Sequence, residues 1–142
     1  PDPSAAAKIV TGVLLDTHLI LALLRHDLAR RHPSLANHLT APGVRGFVSS
    51  ASLWEIAIKT RLGKLEPGVP LDAIAHYLAS VGLTVLSIDA GHAVAGVEPE
   101  PDTRDPFDRL LLAQCKVEGL TLMTMDTALV DHPLALKIGR RS

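Results

Sequence analysis

The chain has 142 residues, a formal net charge of −1 and one cysteine, and 47% of its residues are hydrophobic against 20% charged. This balance excludes a disordered chain, an internal disulfide and a protein that binds nucleic acid through its net charge alone. The apolar run at residues 19–24 stops at Arg25, well short of the roughly 20 residues that a membrane helix needs. We therefore expect one domain over residues 9–142, after a flexible arm or cloning remnant at residues 1–8.

The first half of the chain alternates between strand and helix patterns. A β-branched, apolar run closes on Asp16, which is typical of a strand that turns into a helix. Pro33, Gly43 and Gly63 mark the breaks between elements. In chain order, the pattern predicts a strand over residues 9–15, helices over residues 17–30 and 34–39, a strand over residues 45–48 and a helix over residues 51–62, capped by Ser49 or Ser50.

The second half continues this alternation. Residues 98–104 are rich in proline and charge, so we expect a surface loop there. Asp105-Pro106 then opens a helix with an N-cap carboxylate and a proline at the first helical position. In chain order, the pattern predicts a helix over residues 71–80, a strand over residues 83–88, helices over residues 89–97 and 105–118, a strand over residues 120–124, a helical turn from Asp126 and a last strand over residues 135–138.

Strands that alternate with helices predict an α/β fold. We expect a three-layer α/β/α sandwich with a mainly parallel sheet of four or five strands. Only 3% of the residues are aromatic, so the core must be aliphatic. The mean hydropathy of +0.26 is high for a small monomer and leaves apolar surface for a partner. The single cysteine fits a reducing, cytoplasmic compartment.

Four carboxylates lie where predicted strands end or helices begin, and they are the most informative feature of the chain. They are Asp16, Glu55, Asp108 and Asp126. Carboxylates from separate elements repel one another unless a cation lies between them, and oxygen ligands suit Mg²⁺ or Mn²⁺. Ligand sites of α/β folds also lie at such positions. The pattern indicates a metal-dependent hydrolase.

Each carboxylate also has a simpler interpretation. Asp108 shares a helix face with Leu111 and Cys115, where burial is costly without a cation or hydrogen bonds, but an acidic residue at the third helical position also stabilises the helix start. Asp16 and Asp126 could be helix caps alone. Glu55 could be an ordinary partner of Lys59 at i,i+4 spacing.

Other chemistry-bearing residues give weaker patterns. The seven histidines have no zinc-ligand spacing, and we expect them at the surface or at helix ends. Cys115 lies on an apolar helix face and is predicted to be a core residue, not a nucleophile. Five basic residues could hold phosphates near the acidic site or could be ordinary surface. They are Lys59, Arg61, Lys64, Arg104 and Arg109.

Four segments resemble the ordered motifs of the PIN domain and, more narrowly, the toxin ribonucleases of VapBC-type toxin–antitoxin pairs. The segments are LLDTHLILALL (14–24), SSASLWEIAIKTRLGKL (49–65), RDPFDRLLLAQCKVEGL (104–120) and LTLMTMD (120–126). The resemblance implies that Asp16, Glu55, Asp108 and Asp126 bind Mg²⁺ or Mn²⁺. It implies that Thr124 helps to orient metal and water. Met125 stands where the family commonly has Arg, and Thr103 stands where it often has His. Asp105 is interpreted first as a helix cap.

The resemblance implies a metal-dependent endoribonuclease that acts as a toxin on an RNA substrate. It also implies a cognate antitoxin that covers the site, and a homodimer whose joined faces form a basic groove. We expect the apolar interface to involve the helices over residues 17–30 and 34–39. Two alternatives stay open: a PIN nuclease that processes RNA without a toxin role, and a non-catalytic module whose acidic pocket binds a basic peptide.

Overall fold

The computed structural model describes residues 11–138 and is built around one sheet of four parallel strands. The strands are β1 (Thr11–Leu15), β2 (Val44–Ser49), β3 (Thr84–Leu86) and β4 (Thr121–Met123), in the order β3-β2-β1-β4. In register, Leu14 of β1 pairs with Phe47 of β2 on one side and with Leu122 of β4 on the other. Because all four strands run the same way, their carboxyl ends meet at one edge of the sheet.

Seven α-helices of the described residues connect and cover these strands. They are α1 (Thr17–Leu24), α2 (Leu28–Arg31), α3 (Pro33–Leu39), α4 (Ser50–Arg61), α5 (Ile74–Ser80), α6 (Ala90–Val94) and α7 (Pro106–Glu118). A short 3-10 turn, Leu71–Ala73, leads into α5. Helix α7 has the ends that its sequence predicts, with Asp105 as N-cap and Gly119 in the left-handed conformation after the last turn.

Aliphatic side chains form one core on each face of the sheet. Successive residues of a strand point to opposite faces, so Val13 and Leu15 pack with α1, α2, α3 and α5, whereas Leu14 packs with α7. Cys115 of α7 is fully buried in the second core, and burial raises the pKa of its thiol to about 12. These two cores confirm the three-layer α/β/α sandwich and the structural role predicted for Cys115.

The single helix predicted over residues 17–30 is wrong. Helix α1 ends at Leu24, and His26 has a φ of 59°, in the left-handed region where a helix cannot continue. The Arg25 guanidinium donates to the carbonyl oxygen of Glu66, at 2.6 Å from Nη2, and so ties this corner to a distant loop. Helix α2 then begins at Leu28.

The apolar run at residues 19–24 fills the core rather than a partner interface. Its buried members are at most 7% exposed, and they are Leu19, Ile20, Leu21, Ala22 and Leu24. Large apolar side chains are exposed elsewhere, including Trp54, Leu62 and Val94. The reason for expecting a partner interface at this run therefore no longer holds. None of the helices described has the length and apolar character needed to cross a membrane.

Two strand predictions are corrected in length. The strand predicted over residues 83–88 covers Thr84–Leu86 alone, and the one predicted over residues 135–138 is reduced to an isolated bridge between Ala135 and Leu122. The sheet therefore has four strands, the lower of the two numbers expected. Residues 1–8, and the first two residues of the strand predicted over residues 9–15, lie outside the described part of the chain.

Candidate active site

Asp16 links the ends of the two central strands. It directly follows β1 and caps α1, where its Oδ1 accepts a hydrogen bond from the Leu19 N–H at 2.9 Å. Its Oδ2 accepts a hydrogen bond from the hydroxyl of Thr124, the residue after β4. The side chain is only 3% exposed, and this burial raises its pKa although both hydrogen bonds lower it. Asp16 therefore caps a helix, but its side chain is also buried against the end of the neighbouring strand β4.

Asp108 approaches from the start of α7. Asp105 caps that helix through the Phe107 N–H at 2.9 Å, as predicted, which leaves Asp108 free of the capping role. Asp108 is half-buried and accepts one hydrogen bond, from the Thr103 hydroxyl at 3.2 Å. Burial, followed by the charges of Asp105, Asp126 and Asp16, raises its pKa to about 6. This carboxyl group is thus poorly compensated by its surroundings.

Asp126 completes this acidic group. Its N–H donates to the Thr124 hydroxyl at 3.0 Å, and its own Oδ1 accepts from the Ala128 N–H at 2.9 Å, which starts the predicted helical turn. After burial, its charge is among the causes that raise the pKa of both Asp16 and Asp108. The charge of Asp126, after β4, therefore acts on Asp16, after β1, and on Asp108, at the start of α7, although the carboxylate oxygens of these three described residues do not all lie within 4.8 Å of one another.

Glu55 lies beside this group but has its own partners. It is 6% exposed, its Oε1 accepts a hydrogen bond from the Thr17 hydroxyl at 2.8 Å, and its Oε2 pairs with Lys59 Nζ at 2.7 Å. The hydrogen bond from Lys59 to Glu55 is the main cause that raises the pKa of Lys59, and the charges of Asp105 and Asp108 add to it. Lys59 therefore partly neutralises Glu55 and the start of α7.

The five basic residues proposed as phosphate ligands fall into two groups. Lys59 is paired with Glu55, and Arg109 donates to the Thr103 carbonyl oxygen and to the Glu100 carboxylate at 3.0 Å. Arg109 thereby holds the loop that carries Thr103, the donor to Asp108. The remaining three are exposed, and they are Arg61, Lys64 and Arg104.

Sequence reasoning named Thr124 but missed the hydroxyl groups of Thr17 and Ser52 beside Glu55. Thr17 donates to Glu55 and lies 3.0 Å from the Ser52 hydroxyl, and both belong to helix starts. Their nearness to Asp16 and Glu55 in the sequence was the available signal. Met125, where the family commonly has Arg, is 53% exposed.

A second acidic group lies at the other end of α7. Asp89, His92 and Glu118 place one possible ligand atom each within 4.8 Å of one another. His92 is 1% exposed and lies in the first turn of α6, which agrees with the expected helix-end role. His132 is 8% exposed and its Nε2 lies 2.8 Å from the Pro99 carbonyl oxygen, so it departs from the expectation that the histidines lie at the surface or at helix ends.

The hydrogen bonds around His92 define its role. Its Nδ1 accepts the Asp89 N–H at 3.0 Å, so Nε2 carries the proton that is donated to Glu118 at 2.7 Å. Both ring nitrogens are thereby engaged, and neither offers a free lone pair to a metal. The group forms the capping box of α6 and joins it to α7.

The comparisons with known proteins agree with this architecture. The family model described as "PIN domain" matches residues 13–133. The chain belongs to the PIN domain family. Nine chains of solved structures match this PIN domain. One is a chain of the crystal structure of VapBC2 from Rickettsia felis bound to a DNA fragment from their promoter, with a TM-score of 0.61 and 16% identity over 89% of this chain and 96% of that one. At that identity the likeness shows the fold alone. No curated protein matches.

Proposed function

We propose that this PIN domain is a Mg²⁺- or Mn²⁺-dependent endoribonuclease that acts as the toxin of a VapBC-type pair. The observation that carries the proposal is that burial, with the charge of Asp126 added to it, raises the pKa of both Asp16 and Asp108. Like charges that meet at one edge of a sheet destabilise the protein unless a cation compensates them. PIN domains are generally nucleases, so phosphodiester cleavage is the reaction that we assign to this acidic site.

The residues fit a divalent cation by their chemistry. Asp16, Asp108 and Asp126 would hold the ion through carboxylate oxygens, the ligands that Mg²⁺ prefers, and the family resemblance adds Glu55. When bound, such an ion lowers the pKa of water and neutralises charge that develops on the phosphate. The second acidic group is a poorer fit, because both nitrogens of His92 already have hydrogen-bond partners.

The chain's own residues orient these ligands. The Thr124 hydroxyl donates to Asp16 and accepts from the Asp126 N–H, so one side chain fixes the relation of two carboxylates. Arg109 fixes the loop whose Thr103 donates to Asp108. Lys59 and Thr17 each engage one oxygen of Glu55. This rigid frame holds the carboxylates in place before a substrate arrives.

The toxin role is supported by the fold. The neighbour that has this fold is a chain of a VapBC2 structure bound to a DNA fragment from their promoter. By analogy, we propose a cytoplasmic protein that forms a homodimer and is covered by a cognate antitoxin. An antitoxin that places a basic side chain among Asp16, Asp108 and Asp126 would compensate the same charge as the metal.

The decisive experiment is cleavage of total bacterial RNA by the purified protein. We expect cleavage with Mg²⁺ or Mn²⁺, none with a chelator, and growth arrest when the chain is expressed in a bacterial host. Growth should recover when a small antitoxin encoded beside the gene is co-expressed. Cleavage without growth arrest would favour an RNA-processing nuclease, and metal binding without cleavage would favour an interaction module.

A further inference from the structure

An aromatic pair with one exposed ring lies beside the candidate active site. Trp54 of α4 directly precedes Glu55, and Phe107 of α7 directly precedes Asp108. Their rings meet edge to face, with centroids 5.9 Å apart and planes at 69°. The pair thus connects the two helices that carry two of the acidic residues.

Trp54 is unusual in being exposed. Its exposed fraction is 62%, although the chain has only one Trp, one Tyr and two Phe. A Trp used only for stability would bury its large ring, since burial of apolar area is what stabilises the fold. Phe107 is half-buried and contacts Trp54, so it restricts the indole ring and lowers the entropy that a ligand must remove.

Basic side chains accompany this aromatic pair. Arg61 is seven residues after Trp54 on α4 and so lies on the same helix face, and it is exposed. Lys64 follows just beyond the end of α4 and is also exposed. An exposed aromatic ring with cations along one path is the usual arrangement for single-stranded nucleic acid, in which bases stack and phosphates meet positive charge.

We propose that Trp54, braced by Phe107, stacks on an unpaired nucleobase of the RNA next to the cleaved phosphate. Base-paired nucleotides already stack inside a helix and do not offer a free face, so this platform selects single-stranded RNA. The inference rests on the proposed function, because it places the base beside the carboxylates Glu55 and Asp108. It adds a residue that binds a base, which the acidic residues do not provide.

Intrinsic fluorescence tests the platform directly, since Trp54 is the only tryptophan of the chain. The probes are a single-stranded oligoribonucleotide and a blunt-ended RNA duplex of the same length, each end-labelled, with Ca²⁺ in place of Mg²⁺ to suppress cleavage. We expect the single strand to quench Trp54 emission and the duplex to leave it unchanged. Anisotropy of the labelled RNA measures binding independently of Trp54.

Substitutions of Trp54 test whether its aromatic ring is what binds the RNA. Trp54→Ala should weaken binding of the single strand about tenfold or more, whereas Trp54→Phe should recover most of it, because stacking needs only an aromatic face. Val94→Ala is the matched control, since Val94 is 82% exposed on α6, and it should bind RNA like the unchanged protein. Thermal unfolding verifies that each variant is folded.

Three results would overturn the inference. Equal affinity of the unchanged protein and Trp54→Ala for the single strand removes the platform but leaves the ribonuclease proposal intact. Emission that depends on protein concentration without RNA, together with a dimer in sedimentation that Trp54→Ala abolishes, assigns the ring to a second copy of the chain. No binding of either RNA by anisotropy removes the platform and the ribonuclease proposal together.

Discussion

The two ends of α7 carry acidic groups that behave in opposite ways. Asp108 at its start shares a field with Asp16 and Asp126, and its pKa is raised to about 6. Glu118, the last residue of the same helix, accepts the Nε2 proton of His92 at 2.7 Å. Roughly 15 Å of helix, at about 1.5 Å per residue, separates the two residues.

The difference lies in whether each charge has a partner within the protein. At the end of α7, each ring nitrogen of His92 has one hydrogen-bond partner, so the group stabilises the fold as it stands. At the start of α7, burial and the charges of Asp105, Asp126 and Asp16 raise the pKa of Asp108, and one Thr103 hydroxyl donates to it. Proximity of acidic side chains is therefore a weaker indication of a metal site than an uncompensated charge.

The largest expected effect is on RNA cleavage, which should depend on the acidic residue at the start of α7 and not on the one at its end. Asp108→Asn keeps the size of the side chain and an oxygen for the Thr103 hydroxyl, but it removes a metal ligand. RNA cleavage should fall by about a hundredfold or more, because metal-ligand carboxylates supply several kcal/mol of transition-state stabilisation. Glu118→Gln is the matched control and should cleave within about twofold of the unchanged protein. Equal loss in both variants would show that the comparison is wrong.

Metal binding should distinguish the same two variants by stability. Mg²⁺ or Mn²⁺ at about 100 times its Kd should stabilise the unchanged protein by about 2.7 kcal/mol, which is measured as a rise in Tm. Glu118→Gln should show the same rise, and Asp108→Asn a much smaller one. A rise that disappears with Glu118→Gln instead would place the metal at Asp89, His92 and Glu118.

The buried histidine gives the next effect, on stability and not on activity. His92→Ala removes both hydrogen bonds of the imidazole and leaves Glu118 without its donor. The free energy of unfolding should fall by about 1–3 kcal/mol, measured by urea denaturation. RNA cleavage per folded molecule should stay unchanged. A selective loss of cleavage with normal stability would give this end of α7 a catalytic role.

The smallest effect is a pH dependence of the metal-free protein. The pKa of Asp108 is raised from 3.8 to about 6, so its contribution to stability is full below pH 3.8 and is lost as the pH rises through about 6. The loss should be about 1–2 kcal/mol after allowance for solvent screening. Asp108→Asn should not show this loss. Thermal melts in a chelator from about pH 4 to about pH 7, the span over which most of the change falls, compare the two proteins. Identical pH profiles would show that Asp108 is not the group responsible.

Local sequence signals determined much of the secondary structure. Asp105-Pro106 and Gly119 fixed both ends of α7, and Ser49 caps α4 as predicted, because caps depend on the nearest residues. Helical periodicity did not predict the break at His26. That break comes with a left-handed φ and with contact between Arg25 and a distant carbonyl oxygen, neither of which periodicity encodes.

In the candidate site, too, some features follow from the local sequence and others from the tertiary structure. The sequence by itself marked Asp16, Asp108 and Asp126, since parallel strands bring element ends to one edge of a sheet. Only the tertiary structure decided which acidic groups are compensated. The Thr124–Asp16 bond joins residues 108 apart, and the His92–Glu118 bond joins residues 26 apart. Capping and periodicity are set by neighbours along the chain, whereas the partner of a buried charge is set by packing between elements that the sequence keeps far apart.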